Sequence, residues 1–104
     1  MEILSRTKYQ IEVTEEARTD LNYYSVFERK IITSEIRVQL TNEPLVETKN
    51  RKLLRDNSIS SWELRAGKYR VFYDVNRIAL KVTIVAVGHK EDNVLLIRGK
   101  EVQI

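Results

Sequence analysis

WELRAGKYRVFYDV (residues 62–75) and, after a short turn, VTIVAVGHK (residues 82–90) decide the fold of this chain. Apolar side chains recur at every second position in both stretches, a period typical of β-strands with two distinct faces. One face is predicted to be apolar and to carry Trp62, Leu64, Tyr69, Val71, Tyr73, Val75, Ile78, Leu80, Val82, Ile84 and Ala86. The opposite face is predicted to carry Glu63, Arg65, Arg70, Lys81, Thr83 and His89. A sheet with a core face and a charged back is a candidate phosphate-handling surface.

A short strand and a first helix precede these strands. Alternating apolar residues over positions 9–13 predict the strand. Thr14 is a suitable N-cap, and two glutamates follow it, where they favour the positive end of a helix dipole. Ala17, Leu21 and Tyr24 then follow at helical spacing and predict one narrow apolar stripe.

A second helix is predicted from Val26 to Leu40. Ser25 and Glu28 form a capping-box pattern at its start, and Pro44 follows its end. The helix carries two apolar stripes on nearly opposite sides, Val26, Ile32, Ile36 and Leu40 on one and Phe27, Ile31 and Val38 on the other. Either one stripe contacts the sheet and the other the first helix, or part of the second stripe is left open for a partner.

The fold class predicted from this order is α+β, in a single domain spanning residues 1–104. An N-terminal strand is followed by a helical hairpin that packs on one face of a small antiparallel sheet. Residues 45–60 are predicted to be a long connection, 94–97 a short last strand, and 98–104 a tail. The second face of the sheet is expected to stay open.

Composition excludes several classes of protein. The 104 residues contain no cysteine and one histidine, which argues against disulfides, thiolate sites and a histidine-built metal centre. No apolar run approaches the roughly 18 residues of a membrane span. The first eight residues lack the apolar block of a secretory signal. A soluble, cytoplasmic protein is expected.

The charged face has the residue types that metal-independent RNA cleavage requires. In that reaction the 2′-hydroxyl attacks the adjacent phosphate, which needs a base, an acid and cations around the phosphorane. Arg70 is the first candidate for phosphate stabilisation, with Arg65 beside it, and Glu63 and His89 are candidates for base and acid. The alternatives are a surface ion pair for Glu63 and a simple turn role for His89.

Further residues could extend this surface into an RNA-binding track. Lys90 and the basic residues Lys49, Arg51, Lys52 and Arg55 would contribute positive charge. Phe72 is a candidate for stacking on a base. The basic segment could equally be a solvated loop, or could contact an acidic protein. The net charge of +3 is compatible with nucleic acid but does not require it.

The motifs ELRxxxYRVxY (residues 63–73) and VxVGHK (residues 85–90) resemble those of the RelE/ParE superfamily of toxins from type II toxin–antitoxin systems. The resemblance covers nearly the whole chain. It implies a growth-arresting toxin without a cofactor, of the kind associated with plasmid stabilisation. The implied partner is a cognate antitoxin that wraps the helices and the sheet, with indirect contact to operator DNA through that antitoxin.

Within this superfamily the resemblance leaves the target open. RelE-type members are mRNA interferases that cut messenger RNA on the ribosome, whereas ParE-type members inhibit DNA gyrase and lack the nuclease residues. By position, Arg70 matches the phosphate-stabilising arginine of the nucleases, and Lys90 falls where a second basic residue is expected. RelE proper has lysines where this chain has Ser61 and Glu63, and a tyrosine near the C-terminus where it has residues 95–97, LLI. The leading hypothesis is a ribosome-dependent endoribonuclease. The alternatives are a gyrase inhibitor or an inactive antitoxin-binding homologue.

Overall fold

The structure is a computed structural model and describes residues 8–104. Two helices and seven strands follow one another along this part of the chain. Their bounds are β1 Gln10–Val13, α1 Glu15–Asn22, α2 Val26–Leu40, β2 Arg51–Leu53, β3 Trp62–Ala66, β4 Tyr69–Asn76, β5 Lys81–Glu91, β6 Val94–Ile97 and β7 Lys100–Glu101. The predicted α+β fold class is confirmed, with the N-terminal strand and the helical pair in the expected places.

All seven strands join one sheet, in the order β2-β3-β4-β5-β6-β7. These neighbours are antiparallel, whereas β1 pairs in parallel with the first half of β5. The edge of β5 that does not pair with β4 therefore has two neighbours. β1 pairs with it along residues 81–84, and β6 pairs with it along residues 89–91. The sequence pattern did not reveal β2, which lies inside the predicted connection, or β7, which lies inside the predicted tail.

Both helices begin at the predicted caps. The hydroxyl of Thr14 accepts a hydrogen bond from the backbone N–H of Ala17. Ser25 and Glu28 form the reciprocal capping box at the start of α2. These local hydrogen bonds satisfy donors that the first turn of a helix leaves free, so the sequence alone was enough to place the helix starts.

The helices cover one face of the sheet, and one stripe of α2 does not contact the core. Ile32, Ile36 and Leu40 are buried, but Val26 from the same predicted stripe is 59% exposed. The second stripe also lies at the surface, with Phe27 73%, Ile31 38% and Val38 67% exposed. The expectation that this second stripe packs against the first helix is therefore wrong.

A β-bulge changes the side of the sheet to which the end of β5 points. Phe72 pairs with Ala86 and the next residue, Tyr73, pairs with Ile84, so that Val85 has no partner on β4. One extra residue reverses the alternation of side chains beyond it. Ala86 therefore joins the second face, where it packs with Phe72, instead of the predicted helix-side face. His89 moves the other way, from the predicted second face to the side covered by the helices.

The second face is largely covered by the chain itself. Phe72, Ala86 and Leu95 are buried there, with contributions from Leu54, Ile59, Val85, Ile97 and Val102. The expectation of an open second face is thus wrong over most of its area. The reason is that the connection before β3 and the C-terminal hairpin of β6 and β7 both fold over it.

Candidate functional site

A small cationic surface remains on the second face, at the β3–β4 turn. Arg65 and Arg70 are direct cross-strand partners, so their side chains lie on the same face. Lys90 belongs to this face as well, since Arg70 pairs with Gly88 and alternation returns to the same side two residues later. Three of the five predicted catalytic residues, Arg65, Arg70 and Lys90, therefore share this surface.

Hydrogen bonds to the backbone fix the position of the Arg70 guanidinium. Its Nη1 donates to the carbonyl oxygens of Gly67 at 2.8 Å and of its neighbour Tyr69 at 2.9 Å. Its Nε is buried without a hydrogen-bond partner in the part of the chain that the structure describes. Burial lowers the pKa of Arg70, the carboxylate of Glu63 opposes that effect, and the charge of Arg65 adds to it. Because Nε is buried, an anion from solvent would have to be bound by the other donors of this guanidinium together with those of Arg65.

Glu63 lies on the same face, but its carboxylate is already engaged. Its side chain is 4% exposed, and Oε1 accepts from Nε of Arg65 at 2.9 Å. This is the ion-pair alternative considered for Glu63. To act as a general base, the carboxylate of Glu63 would first have to break its hydrogen bond with Arg65.

His89 lies on the other side of the sheet, under the helices. It pairs with Tyr69, a residue of the helix-side core, and is 5% exposed. The predicted placement of His89 beside Glu63 and Arg70 is therefore wrong. The bulge between Phe72 and Tyr73 is the physical reason, because simple alternation from Val82 puts His89 on the second face.

A hydrogen-bonded relay holds the imidazole in its buried place. The hydroxyl of Tyr24 lies 2.6 Å from Nδ1, and Nε2 lies 3.0 Å from the carboxylate of Glu91. Since a carboxylate only accepts, we assign the proton to Nε2, which leaves Nδ1 to accept from Tyr24. Burial raises the pKa of the Tyr24 hydroxyl, so it stays a donor. Neither Tyr24 nor Glu91 was recognised in the sequence. For Tyr24 the reason is that 65 positions separate it from His89.

The Tyr24 hydroxyl can be tested by a single deletion. We expect Tyr24→Phe to lower the free energy of unfolding by about 1.5 kcal/mol, because it leaves Nδ1 of His89 buried without a donor. Urea denaturation measures this loss. The matched control is Tyr23→Phe, whose ring is 53% exposed and whose change should lie within about 0.5 kcal/mol of zero. Equal effects of the two substitutions would contradict the assigned hydrogen bond.

Two of the predicted RNA-binding residues are not available at the surface. Arg51 is 7% exposed, and its guanidinium is bonded to backbone and side-chain oxygens of the α2 end and the following connection. Phe72 is fully buried in the second-face cluster. Both expectations of exposure are wrong, because strand β2 turns Arg51 towards α2 and the C-terminal hairpin covers Phe72.

The remaining basic residues stay accessible to different degrees. Lys49 and Arg55 are exposed, and Lys52 is half-buried as the cross-strand partner of Glu63. Their role in binding RNA stays a prediction. Among residues 8–104 no group of three His, Cys, Asp or Glu side chains could hold a metal ion. Within the same residues, neither helix has the length and apolar character needed to cross a membrane.

Comparison with known proteins agrees with the geometry of the sheet and helices. Residues 11–94 match the family model described as ParE toxin of type II toxin–antitoxin system, parDE. The structure is similar to a chain in the crystal structure of the RelBE2 toxin–antitoxin complex from Mycobacterium tuberculosis, with a TM-score of 0.73 and 26% sequence identity. That similarity covers 85% of this chain and 98% of the other. No curated protein matches the sequence. The resemblance to the RelE/ParE superfamily is confirmed, and the chain belongs to the ParE toxin family of type II toxin–antitoxin systems.

Proposed function

We propose that this toxin arrests growth by binding its target, as the ParE-type members of the superfamily do with DNA gyrase, without cutting RNA. A cognate antitoxin would hold it inactive, as in the toxin–antitoxin complex that its structure resembles. The match to the ParE family model supports this choice over a RelE-type activity.

The position of His89 is the observation that carries the proposal. Cleavage through the 2′-hydroxyl needs a base and an acid next to the cations that bind the phosphate. The chain has one imidazole, and it lies beneath the helices, bonded to Tyr24 and Glu91, with the sheet between it and Arg70. Glu63 is bonded to Arg65 and nearly inaccessible. Among residues 8–104, the cationic surface therefore has the charge to bind an anionic partner but no free acid–base pair.

Expression of the toxin without antitoxin tests the proposal. We expect growth arrest with a DNA-damage response, and inhibition of supercoiling when purified toxin is added to DNA gyrase. Primer extension on translated messages should show no new 5′ ends. New ends in the presence of toxin, with normal gyrase activity, would contradict the proposal.

Endoribonuclease activity is the second candidate, and the pairing of Arg65 with Arg70 favours it. Two guanidinium groups and Lys90 on one surface could stabilise a phosphorane by charge alone, as cations do for transferred phosphoryl groups. If new 5′ ends are found, Arg70→Ala should reduce cleavage by about 100-fold or more. Arg18→Ala, an exposed arginine on α1, is the matched control and should leave cleavage unchanged.

A further inference from the structure

The turn between β4 and β5 exposes three consecutive apolar residues, Ile78, Ala79 and Leu80. Ile78 is 97% exposed and Leu80 39% exposed. Both were predicted to lie on the apolar face, and both are instead outside the core because β4 ends at Asn76. Runs of three exposed apolar residues are unusual in a turn unless they have a function, because polar residues, glycine or proline fill most turns.

Side-chain hydrogen bonds of Asn76, the last residue of β4, stabilise the turn. The side-chain oxygen of Asn76 accepts from the backbone N–H of Ile78 at 3.0 Å and of Ala79 at 2.8 Å. Asn76 also pairs with Lys81 at the end of the two strands. The apolar side chains are therefore presented on a preorganised support, which reduces the entropy lost on binding.

Leu80 also occupies a backbone position that does not suit a leucine. Its φ is 54°, in the left-handed region that glycine and asparagine tolerate best. Two other turns follow that preference, with Asp92 and Asn93 at positive φ between β5 and β6 and Gly67 between β3 and β4, whereas Arg98 in the β6–β7 turn, at φ 51°, does not. A leucine at such a position carries backbone strain that glycine or asparagine would avoid, so the turn itself does not favour an apolar residue there.

The charges around the turn are positive. Arg77 is exposed and forms no ion pair within residues 8–104. Lys81 lies 3.7 Å from Glu12, so that its charge is offset. Arg70 is at the other end of β4, about 20 Å away at the rise of a β-strand. The turn is therefore a surface separate from the cationic surface of Arg65, Arg70 and Lys90.

We propose that the toxin binds its protein target through the β4–β5 turn, which acts as an anchor. Ile78 inserts into an apolar pocket of the target, and Arg77 faces carboxylates at the rim of that pocket. The choice of a protein as the partner rests on the function proposed above, in which the target is a protein. Arginine is enriched among the residues that dominate the binding energy of protein interfaces, and such residues lie in pockets from which water is excluded. Nucleic acid is a poorer fit, because the turn has no aromatic residue to stack on a base and one unpaired cation. A bilayer is a poorer fit too, because three residues bury little apolar area.

Substitutions at the tip test the proposal with purified DNA gyrase as the partner. We expect Ile78→Ser to weaken inhibition of supercoiling at least 10-fold, and Leu80→Asn and Arg77→Glu to weaken it in the same direction. The melting temperature of each variant should stay within about 3 °C of wild type, since no core contact is removed. Affinity for the antitoxin reports whether each variant is folded. Val46→Ser, at a residue 49% exposed in the connection after α2, is the control and should retain full inhibition.

The outcomes separate this inference from the proposed function. Full inhibition by folded Ile78→Ser and Leu80→Asn would overturn the anchor while the binding function stands. If wild-type toxin does not inhibit gyrase, the proposed function fails, and growth arrest in cells becomes the readout. Arrest by Ile78→Ser equal to wild type then overturns the anchor. Binding of wild type to a DNA duplex or to anionic phosphatidylglycerol vesicles that Ile78→Ser abolishes would also overturn a protein partner.

Discussion

Gly88→Ala is expected to lower the free energy of unfolding by about 3 kcal/mol, because β6 passes directly over this residue. A Cβ at position 88 would clash with the backbone oxygen of Leu96 and would lie 2.9 Å from Cγ1 of Ile97. A backbone oxygen cannot move aside as the end of a flexible side chain can. The methyl group must therefore push the C-terminal hairpin of β6 and β7 away from the sheet.

Displacement of the β6–β7 hairpin can also be measured locally, by proteolysis within the hairpin. The hairpin is held to α1 by Arg98, whose Nε lies 2.9 Å from Oδ1 of Asp20, and it covers the second-face cluster through Ile97 and Val102. Urea denaturation measures the loss of stability. Trypsin should cleave Gly88→Ala faster than wild type after Arg98 and Lys100, since a detached hairpin exposes both sites.

Gly67→Ala is the control that separates crowding from backbone strain. Gly67 has a φ of +60°, but a Cβ there meets nothing within 4 Å. Its substitution should cost about 1 kcal/mol from the left-handed conformation alone, and should leave the hairpin protected from trypsin. Equal stability losses and equal cleavage in the two variants would contradict the close passage of β6 over Gly88.

The elements that the sequence predicted correctly depend on neighbouring residues. The N-cap at Thr14 and the capping box of Ser25 and Glu28 are made within a few positions, so that their patterns are readable without a tertiary structure. The strands β3 and β4 were likewise predicted from alternation, and their register follows from a short turn at Gly67. Local rules were sufficient for the fold class.

The errors at the candidate site have a non-local origin. His89 was misplaced because a bulge of one residue, at Val85, reverses the face of all that follows in β5. Nothing in the apolar pattern of VTIVAVGHK marks that residue, since valine fits either face. Phe72 was wrongly expected at the surface. The C-terminal residues that bury it are brought there by the pairing of β6 with β7, and no local pattern specifies that pairing.

Arg51→Lys is expected to lower the free energy of unfolding by about 3 kcal/mol, although it conserves the charge. Nε of Arg51 donates to the carbonyl of Val46 at 2.8 Å, and Nη1 donates to the backbone oxygen of Gln39 at 3.0 Å and to its side-chain oxygen at 2.7 Å. The carbonyl of Gln39 is in the last turn of α2, where no helical N–H is available to it. A lysine ammonium cannot reproduce this planar fork, so buried oxygens lose their donors and the charge loses its partners.

The same substitution decides between the structural role of Arg51 and the RNA-binding role that the sequence indicated. A residue whose only role is to contact phosphate would tolerate lysine without a loss of stability, because its guanidinium makes no bonds within the fold. A residue that closes the end of α2 would not. The control is Lys49→Met, which removes the charge of an exposed neighbour and should change stability by less than about 0.5 kcal/mol. Urea denaturation of both variants gives the comparison. If Arg51→Lys were as stable as wild type, the guanidinium would have no special part in holding β2 to α2.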